Sequence, residues 1–217
     1  MRALVIGASG GIGAALLAAL RARVGVTALG LARPEIDITD EASVAAAAAR
    51  IGGPLDLVIL ATGALHIDGR GPEKRLAELD AGALARAFAI NTIGPALVLK
   101  HFAPSLPRGT PSVFAVLSAR VGSIGDNQLG GWYGYRASKA ALNQLLRTAS
   151  IEVARSHKQA RLLAIHPGTV VTRLSVAVTG GARGVAPEVA AGLILGVLDD
   201  PPPSGSFVDY AGRAVAW

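Results

Sequence analysis

Six short apolar runs constrain this chain more than any other feature: residues 3–6, 26–31, 55–61, 112–117, 161–165 and 207–210, several of which do not alternate with polar residues. A strand with one wet face alternates, whereas a strand apolar throughout is covered on both faces. Between the runs lie residues 12–23, 41–51, 84–102, 135–156 and 187–198, which have the composition and length of helices. Strand, helix, strand units build parallel sheets, so the sequence predicts an α/β fold with one doubly wound parallel sheet and helices on both faces. The punctuation agrees. Ser43 and Pro187 sit near helix starts, Gly25 and Gly109 sit where helices should stop, and Pro201-Pro202-Pro203-Ser204-Gly205 reads as a stiff turn before the last strand.

At 217 residues, 51% of them hydrophobic, the chain has material for one sizeable core, and a single domain over residues 1–217 is expected. The absence of cysteine removes disulfides, thiolate metal sites and a cysteine nucleophile, and it fits a reducing, cytoplasmic setting. The net charge of +6 leaves nucleic acid, membrane surface or an anionic small molecule as partners. Distribution decides between them. Basic residues are scattered singly, Lys74-Arg75 is the only adjacent pair, and no aromatic-interleaved basic stripe appears, so nucleic acid is not expected. The apolar N-terminal run is broken by Gly7, Ser9, Gly10, Gly11 and Gly13, and charged residues, Gly or Pro interrupt every later candidate span. Neither a signal peptide nor a membrane span is therefore expected.

Gly7-Ala8-Ser9-Gly10-Gly11-Ile12-Gly13 lies between the first strand and the first helix, where unpaired backbone N–H groups suit an anion such as a phosphate. Glycines let the diphosphate approach the backbone and let the helix pack on its strand. The spacing is neither G-x-G-x-x-G nor a P-loop. It does match G-x-S-x-G, the nucleophile elbow, with His66, His101, His157 and His166 downstream as bases. That fold draws its oxyanion hole from a loop after an earlier strand, and here only Met1 and Arg2 precede the first run. A purely structural glycine turn is the remaining alternative.

Tyr135 and Lys139, four residues apart, share one helix face, and an ammonium near a phenol favours the phenolate. An isolated pair at this spacing is ordinarily just a pair of neighbours. Together with the glycine turn, however, the chain resembles the short-chain dehydrogenase/reductase family, whose marks are T-G-x-x-x-G-x-G and Y-x-x-x-K. The resemblance spans nearly the whole sequence and implies a Rossmann-like sheet. Asn91, in Asn91-Thr92-Ile93-Gly94, resembles the family's helix asparagine, which props a water in a proton relay. Pro167-Gly168-Thr169-Val170-Val171-Thr172 resembles the P-G-x-V-x-T segment that meets the nicotinamide carboxamide. Gly130-Gly131-Trp132-Tyr133-Gly134-Tyr135-Arg136 is most similar to a carbonyl-reductase branch that also holds signalling proteins of the C-signal type.

The resemblance implies that Tyr135 gives or takes the substrate proton, that Lys139 lowers its pKa and holds the nicotinamide ribose, and that Ser118 steadies the carbonyl oxygen. Gly7, Ser9, Gly10, Gly11, Ile12 and Gly13 would hold the pyrophosphate. Pro167, Gly168, Val170 and Thr172 would meet the nicotinamide. No metal is implied. The chain departs from the family at Ala119, which stands where ungapped alignment on Gly122 expects the serine, with Ser118 one position earlier. Strand side chains alternate faces, so Ser118 needs a bulge or an altered exit to reach the substrate, with Ser123 and Asn127 as fallback donors. Leu60-Ala61-Thr62-Gly63 replaces N-N-A-G, and Thr62 would supply part of the missing hydrogen bonding between Ala61 and Gly63.

At the end of the second strand stand Ala32-Arg33 and no acid. A guanidinium suits the extra phosphate, so NADP(H) is favoured over NAD(H). Asp37-Ile38 resembles the start of D-V-T-D and would lie near the adenine. His166 reads as a satisfied strand-end histidine. The expected substrate is a small-molecule carbonyl or alcohol, and a cofactor-bound signalling protein with a vestigial site is the alternative. The apolar faces of the third and fourth helices permit a homodimer or homotetramer. The segment after Thr172, with Gly180-Gly181 and Gly184, reads as a short, mobile substrate lid.

Overall fold

The computed structural model describes residues 1–172 and 184–217. Six strands form one sheet: β1 (Arg2–Ile6), β2 (Thr27–Leu31), β3 (Leu57–Leu60), β4 (Ser112–Leu117), β5 (Ala160–His166) and β6 (Ser206–Asp209). Their order is β2-β1-β3-β4-β5-β6 and every pairing is parallel, as the unalternating runs require. Six α-helices cover the sheet: α1 (Gly11–Arg21), α2 (Glu41–Ile51), α3 (Ala81–Phe88), α4 (Gly94–Phe102), α5 (Tyr133–Val153) and α6 (Pro187–Asp199).

The central strands β1, β3 and β4 are buried along almost their whole length because each feeds two cores. Leu4, Ile6, Val58, Leu60, Phe114 and Val116 pack against α2, α4 and α5, through side chains such as Val44, Phe102 and Leu146. The intervening Val5, Ile59, Ala115 and Leu117 pack against α1 and α6, through Leu16, Leu20, Ile194 and Leu195. This is period-two alternation with both faces dry. The stretch Ala81–Ser105 is long and apolar enough to cross a membrane by length and composition. Its Val98, Leu99 and Phe102 are nevertheless buried against the sheet, as in a core helix.

Local punctuation differs from the sequence reading in three places. Asp40, not Ser43, caps α2 by accepting from the Ala42 N–H, while the Ser43 hydroxyl accepts from the Asp37 N–H. Gly109 ends no helix, since α4 closes through a short turn at Ala103–Ser105. The single helix expected over residues 84–102 starts at Ala81, and a π-helical turn, Ala89–Ile93, divides it into α3 and α4. The expected lid, including Gly180-Gly181, falls in residues 173–183 and lies outside the described residues; Gly184 is described, with φ 138°. From β1 the chain moves outward to β2 and then reverses to β3, which opens a crevice beyond the carboxyl ends of β1 and β3.

Candidate active site

Three pockets with shared walls run across that crevice. The first, about 420 Å³, lies over β1 and β2 and is lined by Gly7, Ser9, Gly10, Arg33, Asp37, Ile38, Ala61, Thr62 and Gly63. The second, about 230 Å³, shares Gly10 and residues 61–63 with the first and adds Gly11, Ile12, Ser118, Tyr135, Lys139, Pro167 and Thr172. The third, about 290 Å³, continues past Ser118 and Tyr135 to Gly168 and Val170. Residues expected from sequence thus line one continuous groove. Gly13 and Asn91 stand behind it as supports.

The glycine turn is built by contact. Gly7 sits at φ +90°, and a Cβ on Gly13 would meet the Gly7 carbonyl oxygen at 2.1 Å, so α1 approaches the end of β1 only as glycine against glycine. Gly10 begins α1 without a side-chain cap, and its first turn carries no acidic residue. The helix end is therefore left for an anion. Ser9 is exposed at the groove, and two of the four histidines weighed as its bases are engaged elsewhere. His101 lies 3.2 Å from Glu41 and His157 2.8 Å from the Ser156 hydroxyl.

Asn91 sits in the π-helical turn. Its Oδ1 accepts from the Ala64 N–H at 2.8 Å, and its Nδ2 donates to the Ala64 carbonyl at 2.9 Å and to the Ser138 hydroxyl at 3.2 Å. Thr92 Oγ1 donates to the Ser138 carbonyl at 2.8 Å. The turn therefore ties the loop after β3 to α5 one residue before Lys139. Such local widening of a helix is a frequent mark of functional sites.

Lys139 is 2% exposed and its Nζ donates to the Leu117 carbonyl at 3.0 Å. Burial lowers its pKa to about 8 and raises that of Tyr135 to about 12. The shift of this phenol runs opposite to the one expected from the neighbouring amine, because desolvation dominates both groups. The Tyr135 ring is set edge-on to Trp132, with centroids 6.4 Å apart. Trp132 begins α5 in the left-handed region at φ 54°. Glu73 holds it there: its carbonyl accepts from the Trp132 N–H and its carboxylate from the Gly134 N–H.

Burial of the Lys139 charge has a measurable consequence. Below about pH 8 the amine is charged in both folded and unfolded chains, and the folded chain bears the desolvation cost. As pH rises toward the unfolded value the folded amine loses its proton first, so that cost fades. Lys139→Met should therefore raise folding stability at pH 7 by about 2 kcal/mol, after about 1 kcal/mol for the lost Leu117 hydrogen bond. The gain should shrink steadily up to pH 10 in urea titrations; a pH-independent difference would contradict the buried charge.

Ser118 keeps the alternation of β4. Val116 faces α5 with it, and the Ser118 hydroxyl donates to Asn143 Oδ1 at 2.6 Å while the residue lines the second and third pockets. Of the fallback donors, Ser123 Oγ donates to the Trp217 carbonyl at 3.4 Å and Asn127 accepts from the Gly130 N–H; neither lines the groove. The Asp37 carboxyl is held below its usual range by two hydrogen bonds from Thr39, by its N–H and its hydroxyl, helped by the Arg33 charge. Arg33 is exposed. His166 lines the third pocket with a buried Nδ1 that has no partner among the described residues, which differs from the satisfied strand-end histidine expected. Burial, then the Arg120 charge, lowers its pKa to about 4 against the pull of Asp209.

Sequence reasoning missed Arg120, Trp132 and Leu65 in the third pocket and Thr92, Ser138, Asn143 and Glu73 around it. Ser138 and Asn143 were detectable as polar residues on the buried face of α5. A dinucleotide fits this groove on two observations. The glycine contact leaves an uncapped helix end open to phosphate. The Thr62 hydroxyl is buried on the wall shared by the first two pockets and has no partner among the described residues.

Comparison with known proteins agrees with this geometry. A family model described as enoyl-(acyl carrier protein) reductase matches residues 7–206. A 1-hydroxy-2-glutathionyl-2-methyl-3-butene dehydrogenase from Rhodococcus sp. (strain AD45) is 34% identical over 85% of this chain and 79% of its own length. C-signal from Myxococcus xanthus is 36% identical over 76% of this chain and 94% of its own. An NADPH-bound carbonyl reductase from chicken fatty liver superposes with a TM-score of 0.83 at 26% identity, covering 100% of this chain and 94% of that one. A Burkholderia multivorans protein solved with NADP bound gives 0.86 at 27% identity, over 100% and 99% of the two chains.

Proposed function

The chain belongs to the short-chain dehydrogenase/reductase family, and from that premise we propose that it is an NADP(H)-preferring oxidoreductase acting on a small carbonyl compound or its secondary alcohol. The observation that carries the reading is the meeting of Tyr135, Lys139 and Ser118 in one pocket that opens onto the glycine turn. Both directions have precedent among the relatives, one named as a dehydrogenase and one as a carbonyl reductase.

Gly7, Ser9, Gly10, Gly11 and Ile12 would hold the diphosphate, Arg33 the ribose phosphate, and Asp37 and Ile38 the adenine. Thr62, Lys139, Pro167, Gly168, Val170 and Thr172 would hold the nicotinamide half. When bound, NADPH supplies the hydride. Tyr135, whose phenol keeps its proton across the neutral range, gives that proton to the substrate oxygen as negative charge grows there. Lys139, when charged, stabilises the resulting phenolate, and burial makes that attraction stronger than it would be in water. Ser118 steadies the oxygen by exchanging its bond to Asn143 for one to the substrate. Asn91 keeps the Lys139 turn in register through Ser138. We assign a homodimer or homotetramer in the cytoplasm to this activity, with the exposed Leu145 and Ile151 of α5 at subunit contacts.

The test is NADPH consumption across a panel of aldehydes and ketones. Tight NADPH binding without turnover of any member would favour the second reading, a cofactor-bound signalling protein. The likeness to C-signal and the commitment of the Ser118 proton to Asn143 keep that reading in view. Cofactor preference is tested separately. Arg33→Ala should weaken NADPH binding about tenfold, the worth of one charge-assisted contact, and leave NADH binding unchanged. Equal loss for both cofactors in fluorescence titrations would remove Arg33 from that role.

A further inference from the structure

We propose that this chain selects carbonyl substrates that bear a carboxylate, and that Arg120 receives it. The inference rests on the oxidoreductase reading above and concerns the third pocket, beyond Tyr135. Its walls are largely apolar, with Leu65, Val121, Trp132 and Val170 among them, and among the described residues no aspartate or glutamate lines it. The ionisable side chains on its lining, Tyr135 apart, are Arg120 and His166. His166 is neutral at pH 7, so among the described residues that line the pocket Arg120 carries the positive charge.

That charge has two carboxylates within ion-pair reach and neither in close contact. Arg120 lies 3.4 Å from Asp126 and 3.5 Å from Asp209, both long for an ion pair, and its side chain is 46% exposed. Asp209 is taken by closer partners, since Arg213 reaches it at 2.9 Å and 3.0 Å and the Ala211 and Arg213 N–H groups donate to it. Arg120 follows Ser118 by two residues at the end of β4. A substrate whose carbonyl sits between Ser118 and Tyr135 therefore has its remainder over the apolar wall and beside this guanidinium. A planar fork of donors in partly desolvated surroundings matches a carboxylate better than any neutral group.

The test compares ortho-, meta- and para-formylbenzoate with their methyl esters, using NADPH and the full chain. At least one acid should show kcat/KM about tenfold above its ester, as one charge-assisted contact provides. Arg120→Gln should erase that preference by raising KM for the acid, with ester kinetics and kcat for both within about twofold of the unmodified chain. Asp126→Asn removes an exposed competitor for the guanidinium and should lower KM for the acid, which keeps the test open if Arg120→Gln folds poorly. Equal kinetics for acid and ester in the unmodified chain, or equal losses for both in Arg120→Gln, would overturn the proposal while leaving the oxidoreductase reading intact. If neither acids nor esters are reduced, calorimetric binding to the NADP-saturated chain decides the proposal, and the wider aldehyde and ketone panel decides the oxidoreductase reading. Acid binding that exceeds ester binding and weakens about tenfold in Arg120→Gln upholds it, and binding indifferent to the charge overturns it.

Discussion

Tyr135→Phe will lower kcat for carbonyl reduction by about a thousandfold, within the range that a positioned proton donor supplies, with NADPH affinity unchanged. The phenylalanine ring keeps the edge contact to Trp132 and removes only the oxygen, so folding should be little affected. Ser118→Ala should cost less, about tenfold, because its hydroxyl is shared with Asn143. Stopped-flow measurement of NADPH oxidation with saturating aldehyde reads the chemical step directly. A Phe variant that retained more than about a tenth of the rate would take Tyr135 out of proton transfer and leave the pocket without its principal acid.

The second large effect concerns backbone. Gly13→Ala places a methyl carbon 2.1 Å from the Gly7 carbonyl oxygen, and neither main chain can yield without moving α1 off β1. We expect about 4 kcal/mol of lost stability, at the upper end for a single substitution, and NADPH binding too weak to saturate. Gly192→Ala is the contrast: it lies exposed within α6 with nothing in reach of a Cβ, and should stabilise by about 0.5–1 kcal/mol. Denaturant melts of both variants, with NADPH titration of the first, check the pair. Near-wild-type stability of Gly13→Ala would mean that α1 does not pack on the turn as described.

The sheet was legible because parallel strands covered on both sides leave an unambiguous trace: Val5 and Leu4 are both apolar, and each has its own core. Helix existence was equally plain, but helix punctuation was not. Asp40 and Ser43 are both good cap residues, and backbone geometry chose between them. The π-helical turn around Asn91 left no trace, because the hydrogen-bond shift there answers to Ala64 and Ser138, which are distant in sequence. The residue types of the groove were readable from the glycine turn and the Tyr135–Lys139 spacing. The electrostatics were not. Whether an amine acidifies a phenol or merely shares its burial depends on dry neighbours such as Leu117, and the pattern Y-x-x-x-K carries no information on that. Arg120 escaped notice for a similar reason. It looks like any surface arginine until β4, β5 and α5 close a pocket beside it.

The reversal of strand order between β1 and β3 has a consequence for biosynthesis. The groove's walls come from residues near 7, 33, 62, 118, 135 and 167, so they meet only after β5 has docked beside β4. A nascent chain emerging as far as Ser156 already owns the phenol and the amine, yet lacks the Pro167–Val170 wall opposite them. The groove is therefore incomplete until the Pro167–Val170 segment has been made and β5 has paired with β4.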